Sequence, residues 1–251
     1  MELQLKGKNA LISGSSRGIG LTIALALHNE GCNIVINGRN KKKLKESAQK
    51  IGNNTSYFVA DVTKKSECKK LVKHMNKIFG DIDILVCNVG DGKSSKPGNE
   101  KYSEWQKMMD INLNSAINLV DTSKNSLKKT SGSIVCISSI AGIERTDASI
   151  PYSIAKSALN SYVKNNVTPF AKLGIRINAV APGNILFKGS TWERKILKNK
   201  KKVYDMLVNK VAMNRFGIPL EIANAVVFLS SSVSSFTTGN ILVIDGGQVK
   251  S

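Results

Sequence analysis

The sequence predicts a single α/β domain built on a doubly wound parallel sheet, and three observations carry that prediction. Short apolar runs alternate with longer amphipathic stretches from one end of the chain to the other. The first apolar run, Ala10-Leu11-Ile12, opens into a glycine-rich loop and then a helix-patterned segment. No linker, internal repeat or low-complexity tract divides residues 1–251.

The elements follow in order. After the first strand, Ser13-Gly14-Ser15-Ser16-Arg17-Gly18-Ile19-Gly20 leads into a helix marked by Ile23, Ala24 and Leu27 and stopped at Gly31. Glycines there let the backbone turn tightly and approach a pyrophosphate, whose charge meets free N–H groups at the helix N-terminus. The plainer reading is a tight turn that needs small residues. Asn33–Asn37 reads as the second strand and Tyr57–Val62 as the third, with Asp61 at its end in a position to cap the next helix. That helix carries Leu71, Val72, Met75 and Phe79, and Ile82–Cys87 is the fourth strand, running into Asn88-Val89-Gly90. Trp105, Met108, Met109, Ile111 and Leu113 signal one long helix, and Gly132–Ser139 is the fifth strand, ending at two hydroxyls. A helix follows from Pro151, and Pro169 near its end is expected to remove a hydrogen bond and kink it. Ile175–Gly183 is the sixth strand, Pro219–Leu229 a core-facing helix and Thr238–Gly247 the closing strand.

Composition narrows the class of protein. Apolar residues make up 41% and charged residues 22%, values ordinary for a soluble globular domain with a full core. A formal charge of +19 raises the question of an acidic partner, but the lysines are spread over helical segments without interleaved aromatics or a nucleic-acid motif. Solvated helix faces explain them better than nucleic acid. Cys32, Cys68, Cys87 and Cys136 lack metal or redox spacing and read as reduced core residues of a cytoplasmic protein; two histidines give no metal site. No apolar stretch is long enough to span a membrane.

The chemistry centres on Pro151-Tyr152-Ser153-Ile154-Ala155-Lys156. Proline is tolerated in a first helical turn, so Tyr152 and Lys156 fall one turn apart on one face, placing an ammonium beside a phenol. An adjacent cation favours phenolate and so lowers the tyrosine pKa. Alone, such a pair is more often two surface residues.

Together with the Gly-x-x-x-Gly-x-Gly spacing of the loop, the Asn88-Val89-Gly90 turn, and a Ser139 that precedes Tyr152 by thirteen residues, the sequence resembles the short-chain dehydrogenase/reductase family over almost its whole length. The resemblance implies a Rossmann-type sheet of about seven strands with helices on both faces, and a homotetramer or homodimer. It implies a catalytic set of Asn112, Ser139, Tyr152 and Lys156: Tyr152 as acid/base, Lys156 as the cation lowering its pKa, Ser139 binding the substrate oxygen, and Asn112 distorting its helix and holding a relay water. Ser138, one position earlier, should face the other side of the sheet. The nicotinamide cofactor would lie on Gly14, Ser16, Arg17, Gly18, Ile19 and Gly20, with Asp61 and Val62 at adenine, Asn88 and Gly90 beneath it, Tyr152 and Lys156 at the ribose, and Pro182, Gly183 and Ile185 near the nicotinamide.

Arg39 follows the second strand where an acidic residue would select a free ribose hydroxyl. With Arg17 converging on the same 2′-phosphate, NADP(H) is favoured and NAD(H) is the alternative. Departures from the family are Cys87, Val89 and the segment Asn184-Ile185-Leu186-Phe187, where a threonine for the carboxamide is usual. Residues 184–211 read as a substrate lid with Phe187 and Trp192 against substrate, or as an ordinary surface helix. The implied activity is reversible hydride transfer to a small-molecule or carrier-bound carbonyl, a 3-oxoacyl thioester first, with Lys128, Lys129 and Lys172 able to attract an acidic carrier. Small ketones, sugars, polyols and steroids are the alternatives within the family, and a non-catalytic NADP sensor or scaffold the alternative outside it.

Overall fold

Seven strands form one parallel sheet in the order β3-β2-β1-β4-β5-β6-β7 in a computed structural model that describes residues 2–93, 95 and 98–250. The strands are β1 (Asn9–Ile12), β2 (Asn33–Gly38), β3 (Thr55–Val59), β4 (Ile84–Cys87), β5 (Ser133–Ile137), β6 (Arg176–Pro182) and β7 (Ile241–Ile244). The helices are α1 (Gly18–Asn29), α2 (Lys41–Ile51), α3 (Lys65–Ile78), α4 (Tyr102–Met109), α5 (Ser115–Thr130), α6 (Ile150–Asn165), α7 (Val167–Ala171), α8 (Thr191–Lys198), α9 (Lys200–Lys210) and α10 (Pro219–Ser230). No helix among the described residues is long and apolar enough to cross a membrane.

Both faces of the sheet are covered, which is why its strands read as continuous apolar runs rather than alternating ones. Strand alternation divides the core into two layers. Ala10, Ile12, Ile34, Ile36, Ile84 and Val86 pack with Ile23 and Leu27 of α1 and Ile222 and Val226 of α10. Leu11, Val35, Leu85, Ile134 and Cys136 face the other way, onto Leu71 and Met75 of α3, Leu119 of α5 and Leu159 of α6.

Chain order reverses about β1, whose neighbours are β2 on one side and β4 on the other. The crevice beyond the carboxyl ends of β1 and β4 is the topological switch point, where α/β sheets bind ligands.

Three local expectations need correction. The long helix predicted through Leu113 is broken by a π-helical turn over Asp110–Asn114 between α4 and α5. The helix from Pro151 stops at Asn165, and Pro169 lies in the first turn of the separate α7, where its missing N–H costs nothing. The third strand stops at Val59, and Asp61 does not cap α3, whose cap is Lys64; its Oδ1 instead accepts from Thr63 N at 3.1 Å and Thr63 Oγ1 at 2.8 Å.

Candidate active site

The glycine loop is fixed by close approach. An added Cβ on Gly20 would lie 2.5 Å from Asn88 Nδ2 and 2.7 Å from the Gly14 carbonyl oxygen. Gly14 and Gly18 take positive φ, +61° and +56°, which glycine adopts without a steric penalty. From the neighbouring strand, Asn88 Nδ2 donates to Ser13 O at 3.1 Å and Gly14 O at 2.9 Å, clamping the loop. The start of α1 has neither a side-chain cap bond nor an acidic residue in its first turn, so its N–H groups remain donors for a ligand.

This loop forms one wall of a cleft of about 540 Å³ lined also by Ser16, Arg17, Ile19, Arg39, Asp61, Val62, Asn88, Gly90, Pro182, Gly183 and Ile185. The cleft suits a dinucleotide. It offers a cradle that a Cβ would fill and two cations, and the buried Asn37 Oδ1 at its edge has no hydrogen-bond partner among the described residues. Burial works against the Asp61 carboxylate, but hydrogen bonds from Thr63 and the charge of Arg39 outweigh it and hold its pKa below the usual value.

Arg17 and Arg39 line the same cleft. Arg17 Nη1 donates to the Gly189 carbonyl at 2.9 Å, across to the 184–211 segment. Phe187 likewise packs on the loop: a Cβ on Gly18 would come within 2.4 Å of its ring. Phe187 thus lines the cofactor cleft, its ring over Gly18, where no larger residue holds it away.

At the other end of the cleft the chemistry-bearing side chains meet. A hydrogen bond from Ser139 reaches the Tyr152 phenol, and Ser139 Oγ accepts from Ala141 N at 3.1 Å. Ser138 turns to the opposite side, donating to Asn160 Oδ1 at 2.6 Å, while Asn160 Nδ2 donates to Gly142 O at 3.1 Å. Asn160 thereby braces α6 against the turn that carries Ser139. That turn sits so close to α6 that a Cβ on Gly142 would lie 2.6 Å from the Lys156 carbonyl carbon.

Lys156 differs from expectation. Its Nζ donates to Ile137 O at 2.8 Å and lies 5.8 Å from the centroid of the Tyr152 ring. Burial pulls the ammonium pKa down to about 8, and the phenol is not depressed. Desolvation lifts the Tyr152 pKa above its ordinary value, the bond from Ser139 opposes this, and the charge of Asp91 adds to it.

Asn112 sits in the π turn, a distortion often found at functional sites. Its Nδ2 donates to Asp91 O at 2.9 Å and Met108 O at 3.0 Å, and its Oδ1 accepts from Asp91 N at 3.1 Å. These bonds position the Asp91 turn against Asn112. Asp91 was missed from the sequence. Its signal was an acidic residue directly after Asn88-Val89-Gly90.

Beyond Tyr152 lies a second cavity of about 1520 Å³, between the turn after Ser139 and helices α8 and α9. Ser139, Tyr152 and Trp192 border both spaces. Trp192 packs against Phe216 with ring centroids 5.4 Å apart, and Val203, Leu207 and Val211 anchor the segment beneath it.

A family model described as enoyl-(acyl carrier protein) reductase matches residues 14–248. The chain is 34% identical over 248 residues to the 3-oxoacyl-acyl-carrier-protein reductase of Rickettsia prowazekii, covering 98% of this chain and 99% of that protein. To the enzyme of the same name from Staphylococcus epidermidis it is 32% identical over 246 residues, with 96% and 98% covered. Among solved structures, the L-sorbose reductase of Gluconobacter frateurii complexed with NADPH and L-sorbose superposes with a TM-score of 0.93 at 28% identity, over 100% of both chains. A seven-stranded parallel sheet with its cleft at the switch point and two full-length likenesses above 30% identity agree: the chain belongs to the short-chain dehydrogenase/reductase family.

Proposed function

We propose that this chain is an NADP(H)-dependent oxidoreductase that interconverts a carbonyl compound and its secondary alcohol, with a 3-oxoacyl thioester as the first substrate to test. The observation that carries this reading is the shared border of the two spaces, where Ser139 and Tyr152 face both a dinucleotide-shaped cleft and a separate cavity wide enough for substrate. The relatives named 3-oxoacyl-acyl-carrier-protein reductase support the thioester, and the reductase complexed with NADPH supports the cofactor.

NADPH, when bound, supplies the hydride. Tyr152 Oη gives a proton to the substrate oxygen as negative charge develops there, and the Ser139 hydroxyl donates a hydrogen bond to that oxygen. With its pKa near 8, Lys156 is largely protonated at neutral pH and holds the end of β5 through the Ile137 carbonyl. Asn112 fixes the Asp91 turn beside the phenol. Consumption of NADPH with acetoacetyl thioesters, small ketones and ketoses tests the proposal; binding of NADPH without turnover of any of them would replace it with a sensor or scaffold.

Arg39 is assigned to the 2′-phosphate. Arg39→Ala should raise KM for NADPH about tenfold or more, the effect of losing a charge-assisted hydrogen bond, while changing KM for NADH little. Steady-state kinetics with both cofactors decides it; equal effects on the two would remove the assignment.

Burial of Tyr152 raises the alkaline limit of reduction, and the charge of Asp91 moves it further. As the acid, Tyr152 must be protonated, so reduction falls as pH rises through its pKa, which the Asp91 charge pushes up. Asp91→Asn removes that charge, lowers the phenol pKa, and moves the alkaline limb of the kcat/KM profile to lower pH. An unmoved limb would show that Asp91 does not act on Tyr152. Assembly as a homotetramer or homodimer is also proposed, with exposed Leu220, Phe228 and Phe236 among the side chains to be covered.

A further inference from the structure

The larger cavity has an electrostatic character that the reduction itself does not require. Lys93, Arg145, Arg194 and Lys195 line it, against two carboxylates, Glu144 and Asp147. Both carboxylates are engaged: Asp147 Oδ2 pairs with Lys210 Nζ at 2.6 Å, and Glu144 Oε1 accepts from Lys250 N at 2.8 Å. By contrast, among the described residues no carboxylate oxygen lies within 4.0 Å of the charged groups of Lys93, Arg145, Arg194 or Lys195.

Lys195 is exposed yet held in place by its neighbours. Its Nζ lies 4.3 Å from the centre of the Trp192 ring, and that ring is seated on Phe216, so the ammonium is held at the rim of the cavity. Burial lowers the Lys195 pKa and the charge of Asp147 raises it. Arg145 stands on the turn after Ser139, and the Lys210–Asp147 pair ties that turn to α9. The cations therefore belong to the two elements that enclose the cavity beside Tyr152. Their shared carboxylate neighbour, Asp147, is in direct contact with Lys210 instead, which leaves Lys195 and Arg145 favourably placed opposite a further anion.

Resting on the oxidoreductase reading above, we infer that the substrate carries an anionic group, a carboxylate or a phosphate, which Lys195 and Arg145 bind while its carbonyl lies at Ser139 and Tyr152. The anion belongs to one of two sources, the substrate's own carboxylate or the phosphate of a pantetheine-type arm.

The test compares matched charged and neutral substrates with NADPH: acetoacetate against ethyl acetoacetate, and acetoacetyl-coenzyme A against acetoacetyl-N-acetylcysteamine. The wild type should favour the charged member of at least one pair. The Arg145→Ala/Lys195→Ala variant should lower the ratio of kcat/KM, charged over neutral, at least about tenfold, and Lys195→Arg should restore most of it. The pair that responds identifies the source. A ratio unchanged within twofold in both pairs overturns the inference.

If the wild type turns over neither pair, the oxidoreductase reading fails, and binding alone decides the anion site. With Trp105→Phe leaving Trp192 as the reporter, acetoacetate or inorganic phosphate should change the fluorescence saturably, and Lys195→Ala should weaken that binding about tenfold or more. No saturable change, or the same affinity without Lys195, overturns the inference by itself.

Discussion

Tyr152→Phe lowers kcat for carbonyl reduction by about 10²–10⁴-fold, the usual contribution of a positioned acid/base group, while KM for NADPH changes by no more than a few-fold. The change removes one oxygen. Ser139 keeps its bond from Ala141 N, and Lys156 keeps its bond to Ile137 O. What is lost is the proton that the nascent alkoxide needs, so the deficit appears in kcat. Single-turnover oxidation of NADPH separates this from binding, and near-normal turnover in the purified variant would remove Tyr152 from the chemistry.

Gly20→Ala abolishes tight cofactor binding by a different route. The new methyl would stand 2.5 Å from Asn88 Nδ2, 2.7 Å from Gly14 O and 2.9 Å from Ser15 Cα, and two of these three atoms are backbone that cannot swing aside. Relief requires α1 and the loop to separate, breaking the bonds from Asn88 to Ser13 and Gly14. Overpacking of this kind costs about 1–3 kcal/mol, several degrees of melting temperature for a domain of this size. NADPH affinity should fall at least about tenfold, because the displaced atoms are those that approach the ligand. Calorimetric unfolding and NADPH titration measure both; an unchanged affinity would mean that the loop does not carry the cofactor.

The central strands were legible because burial on both faces leaves a run such as Ile84-Leu85-Val86-Cys87 no other explanation. The glycine loop was legible because its residue types answer a local steric demand. The π turn at Asp110–Asn114 was not legible in any local pattern, only in the distortion at Asn112 that the resemblance implied, since it rests on a bond to a segment twenty-one residues away. Nor was the partner of Arg17, whose carbonyl acceptor lies 172 residues along the chain. The residue type at Arg17 suggested a phosphate ligand, and only the fold shows that the 184–211 segment accepts a hydrogen bond from the same guanidinium. Lys156 teaches the same lesson. Helical spacing places it near Tyr152, but spacing cannot reveal that Ile137 O takes its proton donor or that burial governs both pKa values.

The place of β1 in the sheet has a kinetic consequence. The earliest strand of the sheet in chain order, β1, is an interior one, and its second neighbour, β4, begins only at Ile84. Ser139 and Tyr152 come later still, so the catalytic end of the molecule is absent until well over half the chain exists. Parallel pairing of this kind has high contact order, and such topologies close slowly because long loops must be ordered before their contacts form. During that interval β2 can cover one edge of β1 while the edge meant for β4 stays unpaired, which makes the nascent chain, rather than the finished enzyme, the form most exposed to aggregation.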